Sequence, residues 1–293
     1  MALLAIIRDT LRQAVSQVII FVLLGIAATI VALALFAVGV NEMGRVEIFG
    51  EPLNYIETDM AAGLIRTQMI SVMFGIGAML FIFTASFLTT RKLRPGVVEL
   101  YVSKPVSRTT IMLGRCIGIF LVYYIPAALA IIGVYLTINA KIGASEFNFL
   151  NMLGFAALAG LVLTGLCAGF GSLSRSPVLG LLVLSMLWII TPILIPIVQS
   201  LSDETVASYT SNERPADDDI YPPERGSTMY YITRMLIFIR RYIILPTLDL
   251  HTMAAGAELP GGKIHTWRPL WVALAQAAIG FGIAFYSFNR KNF

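Results

Sequence analysis

Uncharged apolar runs, each about as long as a bilayer is thick, alternate with short polar stretches along this chain. Residues 15–40 carry no charge and exceed the roughly 20 residues needed to cross a hydrocarbon core, so they are expected to span with tilt. The pattern recurs at 67–90, 116–140, 147–172, 178–200 and 270–288, which predicts six transmembrane helices. Ahead of the first, residues 1–13 mix Leu3, Leu4, Ile6, Ile7 and Leu11 with Arg8, Asp9 and Arg12, the pattern of an amphipathic helix on the inner membrane surface. Within the spans, Gly75 and Gly77 are expected to admit a neighbouring helix. Pro126 is expected to kink the third span, and the spacing Gly165-x-x-x-Gly169 fits a tight helix contact. Pro192 and Pro196 lie one turn apart near the far end of the fifth span and should free carbonyls there; a gate and an ordinary kink both fit them.

The polar stretches are unlike one another. Residues 41–66 are acidic, with Glu42, Glu47, Glu51, Glu57 and Asp59. Residues 201–268 form a long loop whose first part is polar, whereas 229–245 is apolar but interrupted by Arg234, Arg240 and Arg241. Three arginines at the bilayer centre would each cost ~2.5–3.5 kcal/mol. This segment therefore reads as an interfacial or re-entrant outer helix between spans 5 and 6. Trp267 and Trp271 are expected to anchor the last span in a headgroup layer. With six spans, Arg8, Arg12, the basic segment 90–115, Arg175, Arg290 and Lys291 share one side. The positive-inside rule places that side, and both termini, in the cytoplasm.

Composition sharpens the class. Of 293 residues 57% are apolar and 13% charged, about half the charge of a soluble domain. The reading is an all-α integral membrane protein, a single multi-pass domain. The formal charge of +4 does not indicate nucleic acid, because the cations flank apolar runs instead of forming an exposed stripe. Cys116 and Cys167 fall inside apolar runs and read as packing residues. The first run is longer than the roughly 7–15 residues of a cleaved signal sequence, so it reads as a retained span.

Candidate chemistry is sparse. No charged residue lies inside the six expected spans, which argues against a carrier driven by an ion gradient. A phosphate-binding loop needs G-x-x-x-x-G-K-[ST], and Gly262-Lys263 is followed by Ile264. His251 and His265 stand in no ligand motif, and Asp217, Asp218 and Asp219 lack the spacing of a calcium loop, so no metal, bound cofactor or enzyme active site is expected. Energy for any uphill movement must then come from another chain. Residues 90–115 are where it could arrive. They hold Arg91, Lys92, Arg94, Lys104, Arg108 and Arg115 against one acid, Glu99. Pro95-Gly96 breaks any helix arriving from the second span, and Lys104-Pro105 closes the stretch between them. If helical, 97–102 is about two turns with Val97, Leu100 and Tyr101 on one face. It could offer that face to a partner, or it could merely orient the neighbouring spans.

Residues 84–115 resemble the segment between the second and third spans of ABC-2 type exporter permeases, in the branch that includes permeases for nitrous-oxide-reductase maturation and gliding motility. The matching residues are Gly96, Glu99-Leu100, Ser103, Pro105-Val106-Ser107-Arg108 and Leu113-Gly114-Arg115. Family members carry an acidic residue and Gly-Thr where this chain has Arg94-Pro95-Gly96-Val97. The ends PTLDL (246–250) and FNRKNF (288–293) also look like the family's. The resemblance implies an ABC-2 (type V) exporter-like fold in the bacterial inner membrane. It further implies a homodimer, or a pair with a similar permease, carrying two copies of an ABC ATPase that holds the ATP and Mg. Its coupling residues would be Gly96, Val97, Glu99, Leu100, Tyr101, Ser103, Pro105, Arg108, Gly114 and Arg115. A scaffold that binds an ATPase without transport, and an ion-coupled carrier acting alone, are the alternatives.

Overall fold

The computed structural model describes residues 2–16, 18–41, 46–52, 58–91, 106–143, 149–174, 176, 178–190, 231, 235 and 267–290. Helix α1 (Ala2–Ser16) leads through Val18 into α2 (Ile19–Ala37). Three short strands come next: β1 (Val38–Val40), β2 (Val46–Ile48) and β3 (Glu51–Pro52), antiparallel in that order. After them α3 (Thr58–Val72), a π-type turn at Met73–Gly77 and α4 (Ala78–Arg91) run one after another without a break. The remaining helices are α5 (Arg108–Ile142), α6 (Phe149–Ser174), α7 (Val178–Ile190) and α8 (Arg268–Arg290). Two compact units result: 1–184 joined by 246–293, and 185–245.

Among the described residues, five helical segments are long and apolar enough to cross a membrane: Ile19–Ala37, Ala62–Thr90, Arg108–Ile142, Asn151–Ser174 and Arg268–Arg290. The segment expected as the fifth span, 178–200, is described only as far as Ile190. Pro192, Pro196 and the outer helix at 229–245, apart from Tyr231 and Met235, lie outside the described residues.

Helix α1 is amphipathic as its pattern predicts. Ile6, Thr10 and Ala14 recur every fourth residue and are buried, while Leu4 is exposed. Its junction with α2 is strained, because Val18 adopts φ 63°, a region that β-branched residues avoid. The first span is thus cut at both ends relative to 15–40. Its far end turns into β1, and the all-α expectation misses this small sheet, whose strands are too short to show an alternating pattern.

The second span starts before residue 67. Its helix extends from Thr58, so Arg66 and Thr67 lie within the crossing segment and are buried. Arg115 likewise lies inside α5 and is buried. The expectation of charge-free spans is corrected accordingly. Length explains how this is tolerated: 35 residues make α5 about 52 Å long against a core of ~30 Å, a total overhang of roughly 22 Å. Arg115 is seven residues from the start of α5, about 10 Å in. The Arg66 guanidinium sits 5.4 Å from the ring centroid of Tyr135, seven residues from the other end. Both charges therefore lie beside opposite ends of α5 and away from its middle.

Gly75 and Gly77 are also corrected. A Cβ on Gly75 would meet nothing within 4 Å, and one on Gly77 would first meet the Met73 side chain of the same π-type turn. Neither is where another helix of this chain makes its nearest approach. The Gly165/Gly169 expectation is met: these residues face α8, where a Cβ on Gly280 would lie 2.5 Å from the Gly165 carbonyl carbon. Ala273, Ala277, Gly280 and Ala284 form the matching small-residue face of α8 and are all buried. In lipid such close backbone approach is the main source of helix association, since apolar burial alone contributes little there.

Candidate functional site: the root of the coupling segment

Of the residues 90–115 read as a coupling segment, the structure describes Thr90, Arg91 and 106–115. Gly96, Val97, Glu99, Leu100, Tyr101, Ser103 and Pro105 lie outside the described residues. The described part is where the segment enters the membrane body, and its local chemistry explains why a helix starts there. Ser107 takes an extended conformation (φ −64°, ψ 145°), and its Oγ accepts from the Thr110 N–H at 3.2 Å. The Ser107 and Thr110 hydroxyls lie 2.6 Å apart. This is an N-cap, which satisfies one of the donors that every helix start leaves open.

From that cap three neighbours are gripped. The Arg108 guanidinium donates to the Asn289 carbonyl at 3.4 Å, tying α5 to the last turn of α8. Gly114 lies against Ile6 of α1, where a Cβ would sit 3.0 Å from Ile6 Cγ2. One turn on, a Cβ on Gly118 would sit 2.7 Å from Thr10 Cβ. The Thr10 hydroxyl is turned back onto its own helix, donating to the Ile6 carbonyl at 2.9 Å. Ile6, Ile111, Met112, Cys116, Ala168, Ala284 and Phe288 form one buried apolar cluster, with Val106, Phe281 and Phe285 packed against it. Four helices thus meet there: α1, α5, α6 and α8. Ser287 adds a polar tie by donating to the Ser172 carbonyl at 3.0 Å.

Helix α4 joins the same end. Gly171 packs against Thr89 and Thr90, whose hydroxyls bond back to the carbonyls of Ala85 and Ser86 and so leave no open donor at the contact. The helix before the segment and the helix after it are therefore both seated on α6. Arg108 and Gly114 belong to one joint, and Arg115, the next residue of α5, is buried. Ile6 and Thr10 of α1 and Asn289 of α8 belong to that joint and were missed by the sequence reading. A signal for α1 was present, since Gly114-x-x-x-Gly118 and Ile6-x-x-x-Thr10 are both four-residue steps on a helix. The main-chain bond to Asn289 left none.

A family model described as ABC-2 family transporter protein matches residues 4–293, nearly the whole chain. The chain belongs to the ABC-2 transporter family. A search of curated proteins returned no match. The permease's multi-pass helical body and its place in membrane transport rest on that membership together with the five membrane-length helices.

Proposed function

We propose that this permease is the membrane-spanning subunit of an ATP-binding-cassette exporter in a bacterial inner membrane, working as a homodimer with two copies of a separate ATPase. In this reading the ATPase docks on 97–102, with Leu100 and Tyr101 filling a groove in its surface. ATP-driven closure of the ATPases displaces that foot. The observation that supports the reading is the joint at its root: Ser107 caps the start of α5, Arg108 ties it to α8 and Gly114 seats it on α1. Force entering at Val106 would reach a 35-residue helix whose first turns are shared by a packed cluster. Packed cores have discrete arrangements, which suits them to passing on a displacement without absorbing it.

The test is Leu100→Glu. A buried carboxylate in an apolar groove is costly, so the variant should insert in the membrane at wild-type yield yet lose co-purification with the ATPase. Normal assembly of the variant complex would refute the docking assignment. A rise in ATPase activity on adding substrate separates an exporter from a scaffold that only binds the enzyme.

A further inference from the structure

We propose that the β2–β3 hairpin tip is a lipid anchor, with the Phe49 ring entering the headgroup–acyl boundary of the leaflet where α2 ends. The depth of the tip is set by three observations. Helix α2 has 19 residues, about 28 Å, close to the thickness of the hydrocarbon core, so Ala37 lies at its edge. The Lys141 ammonium donates to the carbonyls of Leu35, in the last turn of α2, and Val38, the first residue of β1. A charged amine settles at the interface and not among acyl chains, which puts the same residues at that level. Finally, the Phe49 N–H donates to the Ala37 carbonyl at 2.8 Å, fastening the tip there.

The tip itself has the character of an anchor. Phe49 is 73% exposed, and Phe36 and Val40 nearby in the chain are 79% and 41% exposed. On the inner side of the sheet, Val38 and Val46 are buried, so the exposed aromatic is not needed to fill a core. Phe49 and Gly50 have φ 53° and 84°, the pair of positive values of a tight hairpin turn that Asn-Gly ordinarily occupies. A bulky residue there is unfavourable for the turn, a cost that a functional contact of its ring would offset. The exposed apolar face of α2 (Leu33, Leu35 and Phe36) leads directly to the tip. A surface continuous with a lipid-facing span has lipid as its occupant.

Nitroxide labels at Phe49→Cys, Phe36→Cys and Glu51→Cys in phosphatidylcholine nanodiscs test this. Cys116 and Cys167 are buried, and the wild-type protein controls for labelling there. The ratio of oxygen to nickel-chelate accessibility at 49 should match that at 36 and be several-fold above that at 51. A ratio equal to that at 51 would place the tip in water and overturn the proposal. Protection from both reagents would mean that a second copy or another protein covers it, and would overturn it as well. Phe49→Trp gives an independent reading: quenching by acyl chains brominated near the headgroup should exceed that of the wild-type protein, and equal quenching would count against the anchor. None of these outcomes depends on ATPase docking.

Discussion

A glycine inside a packed helix matters most where another backbone presses on it. Gly280 is pressed hardest by backbone, because a Cβ there would lie 2.5–2.7 Å from the carbonyl of Gly165 and the nitrogen of Leu166. Gly25 is on the exposed side of α2 with nothing within 4 Å. Gly280→Val should therefore separate α6 from α8 and lower stability by about 1–3 kcal/mol. Gly25→Ala should be neutral or stabilise by up to ~1 kcal/mol, since Gly is a poor helix residue. Thermal unfolding of the two variants in detergent checks the contrast; a lower Tm for Gly25→Ala, or an unchanged one for Gly280→Val, would contradict the packing described. The sequence showed one side of this seam, Gly165-x-x-x-Gly169, but not its partner. Spacing marks a surface as approachable, and only the fold says what approaches. Gly75 shows the converse, a glycine in a span that nothing approaches.

At the scale of elements, α5 was legible as a span but not in its full length. Hydropathy ended the apolar run at Arg115, whereas the helix begins at its cap, Ser107, eight residues earlier. Charged and hydroxyl side chains at a helix start lower hydropathy without interrupting the backbone hydrogen bonds, so a hydropathy boundary marks the membrane edge and not the helix end. The same holds for α3, which runs past Arg66 to Thr58. The two ends of α5 make separable predictions. Ser107→Ala removes the N-cap and should cost about 1 kcal/mol, read as faster amide exchange confined to the first turn. Lys141→Met removes a cation from the C-terminal carbonyls of α2, an interaction of ~0.3–1 kcal/mol. It should increase exchange at 34–40 and leave the first turn of α5 unchanged. Exchange changing at both ends in either variant would mean that the helix frays as one unit.

For the whole molecule, charge placement and the motif between the second and third spans were enough to read a membrane permease of the ABC-2 family. What they could not supply was the assembly of α1, α5, α6 and α8 into one joint, since its members come from both ends of the chain. That joint makes a prediction distinct from loss of docking. Gly114→Leu would drive a branched side chain into Ile6 and the Leu3 carbonyl, which leave no more than 3.0–3.4 Å even for a Cβ. The wedge should lift α1 from α5 while leaving 97–102, which precedes it in the chain, free to bind. The variant complex should therefore keep its ATPase on purification, unlike Leu100→Glu. Yet the ATP-dependent change in amide exchange expected at 108–120 in the wild-type complex should be lost. Were the variant to retain that change, α1 would be a passive membrane-surface helix and force would travel along α5 alone. Were it to lose the ATPase instead, docking and transmission would be a single event, and the root at Gly114 would be part of the binding surface itself.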